Sequence, residues 1–330
     1  MATQTPLQTP PRRPSTARPA PSTEPVPATF GATVGTTVAA PSPSEVRRDG
    51  PTAVPGHERR FRRPRRLQLW IGLAIVGTAA LVGLLAPWLA PYDPLAQDIY
   101  ARFEGPSLAH PLGLDDFGRD MLSRIIYGAR MTLITGVAAI ALALPVGALL
   151  AAWAGFARGW TDAVLMRLLD VQLAYPGILL ALVLIVTMGP SQRSVIVALA
   201  VGYAPYFSRI VRGAVLREGA MDYVTAARAL GRSEPMVLLR HIGPNVLGLM
   251  VVHASFAVAG AMVSEASLSF LGLGVSPSTP SWGRMLSNGT QVVYVAPHIA
   301  MVPIVVLSVV IAGWYLLGEG CREWLDPRRK

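Results

Sequence analysis

The chain has 330 residues, of which 52% are hydrophobic and only 15% charged, with a mean hydropathy of +0.44. A soluble globular chain carries about 25% charge. The charge here is clustered between uncharged runs of about 20 residues, enough to cross a bilayer core of roughly 30 Å. Composition therefore excludes a soluble domain and predicts an all-α integral membrane protein.

The formal net charge of +10 sits in loops rather than on a nucleic-acid-binding face. Arg59, Arg60, Arg62, Arg63, Arg65 and Arg66 directly precede the first apolar run. Further arginines crowd residues 209–240, and Arg322, Arg328, Arg329 and Lys330 close the chain. This is the positive-inside pattern of cytoplasmic loops. One cysteine, Cys321, excludes an internal disulfide and a Cys-based metal cluster. The only lysine is Lys330, so no G-x-x-x-x-G-K-[ST] phosphate loop can be built. No ATPase site is expected in this chain, and any ATP and Mg must be bound by another.

Residues 1–66 form the first predicted region. Pro, Thr, Ala and Ser dominate up to residue 56, followed by the arginine cluster. Such a tail cannot bury enough surface to offset its ordering entropy and is read as disordered and cytoplasmic. The second region, 67–330, is the membrane domain. Its first span runs from Leu67 to about Leu89, ended by Pro87, Pro91 and Pro94. Residues 91–130 hold Asp93, Asp98, Glu104, Asp115, Asp116 and Asp120 against four arginines and are placed outside. The second span covers about Met131 to Trp153, with Pro145 expected to kink it. After the basic turn FARGWTD, the third span covers about Ala163 to Thr187; Arg167 and Asp170 lie three apart near its inner end and are expected to pair. An outer turn, MGPSQR, leads to the fourth span, about Val195 to Arg212. A cytoplasmic loop over 213–242 precedes the fifth span, about Gly243 to Ser264. An outer segment containing PSTPSWG leads to the sixth, about Pro297 to Gly318. Six helices with both termini cytoplasmic satisfy the charge bias. Gly136, Gly147, Gly248 and Gly260 are read as close-packing positions between helices.

The cytoplasmic loop carries YVTAARALGRSEPMVLLRHIGPN, from Tyr223 to Asn245. Asp222 is expected to cap a short helix from Tyr223 to Leu230, with Gly231 as its left-handed stop. Tyr223, Ala226, Ala227 and Leu230 share one apolar face, nearly flat because two of the four are alanine. Such a face suits either lipid headgroups or a groove on another protein.

AARALG, followed after about ten residues by Ile242, Gly243 and Pro244, resembles the EAA loop of permease subunits of bacterial binding-protein-dependent ABC importers. More narrowly, the chain resembles the C-type permease of the dipeptide/oligopeptide/nickel subfamily. This resemblance extends to HPLGLDDFGRDMLSRIIYGAR (His110 to Arg130), RLLDVQLAYPGILLAL (Arg167 to Leu182), SEASLSFLGLG (Ser264 to Gly274), PSTPSWGRML (Pro277 to Leu286) and LGEGCREWLDPR (Leu317 to Arg328). The resemblance implies a type I ABC importer permease fold of six transmembrane helices in the bacterial cytoplasmic membrane. It implies a translocation pathway for short peptides, nickel or another small solute. The implied partners are a homologous permease in a heterodimer, two cytoplasmic ATPase subunits and an extracytoplasmic binding protein.

In that family the loop helix, here 222–232, docks on the ATPase. The resemblance carries this role to Asp222, Tyr223, Ala226, Ala227, Ala229, Leu230, Gly231 and Pro244. Two positions depart from the motif: Thr225 stands where Glu is usual, removing half of a capping box, and Gly243 stands where Leu is usual. On the outer side, Asp115, Asp116, Arg119, Asp120, Glu265 and Trp282 are candidates for a gate or for contact with the binding protein. Glu265 stands out because an intramembrane carboxylate is a functional signal. His241, His253 and His298 have no metal-ligand spacing, the three aspartates lack the other ligands of a calcium loop, and no G-x-S-x-G nucleophile motif occurs. The alternative from another class, a self-contained secondary transporter or channel, would need charges along the spans and broken helices near the midplane.

Overall fold

In the computed structural model, residues 67–157, 159–274 and 279–325 are described. The predicted tail, 1–66, lies outside them. The described residues form helices and loops with no strand, and five helices are long and apolar enough to span a membrane. These are α1 (Leu67–Leu84), α3 (Met121–Ala157), α6 (Gln192–Gly219), α9 (Gly243–Phe270) and α11 (His298–Leu325). Shorter helices are α2 (Ala86–Leu89), α4 (Trp160–Ala174), α5 (Gly177–Met188), α7 (Asp222–Ala229), α8 (Glu234–Val237) and α10 (Trp282–Gln291).

Two spans run past their predicted ends, α6 to Gly219 and α11 to Leu325, and three others differ from the sequence reading more deeply. The second begins at Met121, not near Met131. Asp120 starts it: its carboxylate accepts from the Ser123 N–H (2.7 Å) and hydroxyl (2.7 Å), satisfying an otherwise orphaned donor of the first turn. The chain stays helical through Pro145 to Ala157. The third span is not one helix. α4 and α5 meet at 91° across Tyr175–Pro176, because the residue before a proline is driven from the α region; Tyr175 is extended at φ −85°, ψ 140°. The expected Arg167–Asp170 pair is also replaced: Asp170 pairs with Arg209 of α6, whose Nε lies 3.1 Å away. Third, the fifth span starts well before Pro244. α8 passes through a π-helical turn, Leu238–Ile242, into α9. Pro244 has no N–H, and its ring crowds the carbonyl four residues back. The widened turn lets the helix continue past it, the Gly243 N–H donating to the Leu238 carbonyl.

α3 and α6 pack along their length, α9 crosses both, and α1 lies against α11. Buried Ile140, Phe207, Val258 and Met262 belong to the main apolar cluster. Three of the four glycines read as packing positions are closely covered: a Cβ would lie 2.8 Å from Met262 Cγ at Gly136, 2.6 Å from the Ala204 carbonyl at Gly147 and 2.6 Å from the Tyr203 hydroxyl at Gly260. Gly248 has ordinary room, with Leu325 at 3.6 Å. Between helices in a membrane, where lipid removes most of the hydrophobic drive, such close approach supplies the dispersion contacts.

Candidate functional site

The predicted loop helix forms as α7, with its start shifted. Met221, extended at φ −76°, ψ 149°, occupies the N-cap; its carbonyl accepts from the N–H groups of Val224 (3.0 Å) and Thr225 (3.2 Å). Asp222 is therefore the first helical residue and makes no capping bond, contrary to the sequence reading. Its carboxylate still favours the positive end of the helix dipole. At the other end the expected glycine stop is present. Gly231 has φ +78°, and the N–H groups of Gly231 and Arg232 donate to the carbonyls of Arg228 (2.9 Å) and Ala227 (3.3 Å). This is a Schellman closure, open to glycine without a Cβ penalty.

The apolar face divides differently from the wheel. Val224 and Ala227 point into the protein, where they join a cluster with Ala151, Val211, Val237 and Met250. Ala227, read as part of the outward face, is thus part of the seat. Asp222, Ala226, Ala229 and Leu230 face outward, and Leu230 is 83% exposed. Met236 and Leu239 continue this open apolar surface.

Polar ties fix the helix on both flanks. Arg228 makes a bidentate pair with Glu234 (Nε–Oε1 2.8 Å, Nη2–Oε2 3.1 Å) and donates to the Gly219 carbonyl at 3.1 Å. Tyr223 is half open; its hydroxyl donates to Glu218 Oε2 and accepts from Asn245 Nδ2, both at 2.9 Å. Burial, then the neighbouring Glu218 carboxylate, pushes the Tyr223 phenol up from its ordinary value. α7 is thereby tied to the end of α6 and the start of α9. Beside it lies a groove of about 530 Å³, lined by Ala151, Asp162, Arg212, Arg228 and Glu234 among others. Asp162 and Arg212 in its lining form an ion pair (2.7 Å) joining α4 to α6. Thr225, in place of the usual Glu, turns its hydroxyl toward the Met221 carbonyl at 3.5 Å. Gly243 sits under the π turn, where a Cβ would meet the Leu238 carbonyl at 3.1 Å; the usual Leu would crowd it. Pro244 is exposed at the start of α9.

The outer candidates fare differently. Asp115 is buried and accepts from the N–H groups of Phe117 and Arg119 (2.9 Å each) and from Arg119 Nε (2.7 Å), with Arg124 Nε at 3.3 Å. Arg124 in turn donates to the Pro94 carbonyl at 3.0 Å. Asp120, besides capping α3, faces His110 Nδ1 at 3.0 Å. Asp115, Arg119 and Asp120 thus tie the outer loop to α3 and present little surface for another protein. Asp116 keeps more exposure than these, with Arg119 Nη2 at 3.4 Å; burial and then Asp115 push its carboxyl up from the ordinary range. Trp282 is buried, its indole N–H donating to the Ile125 carbonyl at 3.0 Å. Glu265 is buried in α9 and accepts from the Ser269 hydroxyl at 2.7 Å. Open apolar side chains in this region are Ile99, Tyr100, Leu108, Phe117 and Tyr294, beside the exposed Asp93, Asp98, Arg102 and Glu104.

Residues 143–330 match the family described as binding-protein-dependent transport system inner membrane component. The chain belongs to this family. Residues 59–106 of the permease match the N-terminal transmembrane domain of oligopeptide transport permease C. Among curated relatives, it is 38% identical to the glutathione transport system permease protein GsiD of Pectobacterium atrosepticum, over 86% of this chain and 94% of that one. The GsiD of Shigella dysenteriae is 39% identical over 84% and 91%. Among solved structures, an inward-facing conformation of the MetNI methionine ABC transporter is similar over 59% of this chain and 89% of that one, at 22% identity and a TM-score of 0.47. The permease is therefore a multi-pass, all-helical subunit of an ABC importer of the peptide/oligopeptide type.

Proposed function

We propose that this permease forms half of a heterodimeric pathway for short peptides, of the size and chemistry of glutathione, and is driven by two separate ATPase subunits through α7. An extracytoplasmic binding protein delivers the solute, and both termini lie on the cytoplasmic side of the bacterial inner membrane, with 1–66 as a tail and 67–330 as the permease domain. The chain binds no ATP or Mg and catalyses no reaction of its own. The observation that carries the reading is the split of α7: Val224 and Ala227 seat it in the bundle, while Asp222, Ala226, Ala229 and Leu230 stay open. Small side chains permit close approach of a partner, and Leu230, Met236 and Leu239 supply the apolar area. Ties through Arg228 and Tyr223 make α7 stiff enough to pass an ATPase movement to α6 and α9. Contact with the binding protein is assigned to the open Ile99, Tyr100, Leu108 and Phe117 rather than to the buried acids.

Leu230→Asp tests the docking role, because the side chain is open in this chain and would be covered only in the assembly. The variant is expected to insert and fold normally while losing ATPase co-purification by tenfold or more, since burying a leucine is worth about 1.5–3 kcal/mol. Unchanged co-purification and uptake with Leu230→Asp would remove α7 as the contact.

A further inference from the structure

Three observations coincide on one seam between α4 and α6. The first is the break in the third span. Ala174, Tyr175, Pro176 and Gly177 are exposed on the surface of this chain, and the first turn of α5 has no side-chain cap. Irregular backbone at membrane depth is tolerated only where protein covers it or water reaches it. The second is a polar bond at the same level. Pro205 has no N–H to offer the Val201 carbonyl four residues back, and Gln172 Nε2 donates to that oxygen instead, at 2.7 Å. Val201 stands nine residues beyond the start of α6, a rise of about 14 Å, close to the middle of a core roughly 30 Å thick. The third is the ion pair between Asp170 and Arg209, whose side chains remain 50% and 52% exposed.

A half-open carboxylate and guanidinium on a spanning segment are strongly disfavoured against lipid, and such groups turn toward protein or a water-filled cavity. α1 shows the contrast: its open residues include Trp70, Leu73, Leu81 and Leu84, and it carries no charge. Resting on the importer reading above, we propose that the seam of Asp170, Gln172, Tyr175 and Arg209 is a wall of the hydrated solute path. The paired carboxylate and guanidinium match the ammonium and carboxylate of a zwitterionic short peptide, and the Gln172 amide matches its peptide groups.

The test uses the full chain co-expressed with its partner permease and ATPases, in a Cys321→Ser background that leaves no native thiol. Ala174→Cys and Tyr175→Cys are compared with Leu81→Cys for reaction with a charged, membrane-impermeant methanethiosulfonate. A water-filled path makes the two seam thiols react at least tenfold faster than Leu81→Cys, and dialanine slows them severalfold. Seam rates as slow as that of Leu81→Cys would place the seam against lipid and overturn the proposal. Reaction in the lone chain that is blocked in the assembly, with or without ATP, would make it the permease–permease interface and equally overturn it. Rates indifferent to dialanine would overturn the solute contact. Labelling requires no transport, so missing ATPase co-purification would count against the function proposed above without obscuring the seam's own result.

Discussion

The loop before α3, which the charge bias predicts outside, and the loop around α7, which it predicts inside, use their polar residues in opposite ways. In the first, Asp115 and Asp120 each gather several donors and are buried, so charge is spent on closing a long loop against α3. In the second, Arg228 and Tyr223 hold α7 only at its flanks and leave one apolar face open. Residue type alone misleads in both regions: Asp115 and Asp120, candidates for a docking surface, are internal fasteners, and of the two neighbouring alanines on the expected docking face Ala226 is open while Ala227 is buried. Burial, not the sign of the charge, decides the role of each group.

The largest effect expected from breaking this contrast is at Asp115. Asp115→Ala leaves Arg119 and Arg124 buried without their shared carboxylate. Removing one partner of a buried ion pair costs about 3–5 kcal/mol. Thermal unfolding in detergent should show a marked loss, with poor assembly as its consequence. A stable Asp115→Ala variant with impaired uptake alone would instead return Asp115 to the role of a binding-protein contact.

A smaller effect, and one confined to the inner loop, is expected for Ala227→Asp. Ala227 is packed under α7 against Val211, Val237 and their neighbours, so a carboxylate there must be desolvated without a partner, at roughly 1–3 kcal/mol or more. The helix should lift from its seat while the spans persist. Limited proteolysis between residues 219 and 234 would become faster, and ATPase binding would fall with it. Leu230→Asp should lose ATPase binding without that proteolytic change. If the two variants behave alike, the division of α7 into a seat and an open face is wrong.

Most of the helical architecture was legible because its strongest signals are physical: uncharged runs, and the small-residue loop with its glycine stop. Details failed where one residue's geometry outranked the run around it. The apolar stretch through α4 and α5 reads as continuous, yet Tyr175 before Pro176 breaks it; the Tyr-Pro-Gly triplet was the available signal. α3 begins ten residues before the uninterrupted apolar run, because Arg124 and Arg130 break that run while Asp120 is an N-cap residue type. The loop-helix wheel grouped Ala227 with the open Ala226 and Leu230 and left out Val224, the residue that is fully buried. Which of Ala226 and Ala227 faces inward depends on where Val211 and Val237 stand, and no local pattern contains that.

The smallest effect belongs to Asp116, the least buried of the aspartates at 115, 116 and 120, and it sharpens the comparison by its sign. Its carboxyl is raised by burial first and by neighbouring Asp115 second, against partial relief from Arg119. A folded-state value above the unfolded one means that Asp116 favours the fold when protonated, and that this contribution is lost as pH rises through the raised value. At neutral pH the ionised group is therefore a slight burden, unlike the fully partnered Asp115. Asp116→Asn should leave stability unchanged or raise it slightly, within about 0.5 kcal/mol, and should flatten the acid-side pH dependence of unfolding. A loss as large as that of Asp115→Ala would mean that its 3.4 Å contact with Arg119 is a full structural bond, and that the outer loop's fastening extends to all three acids.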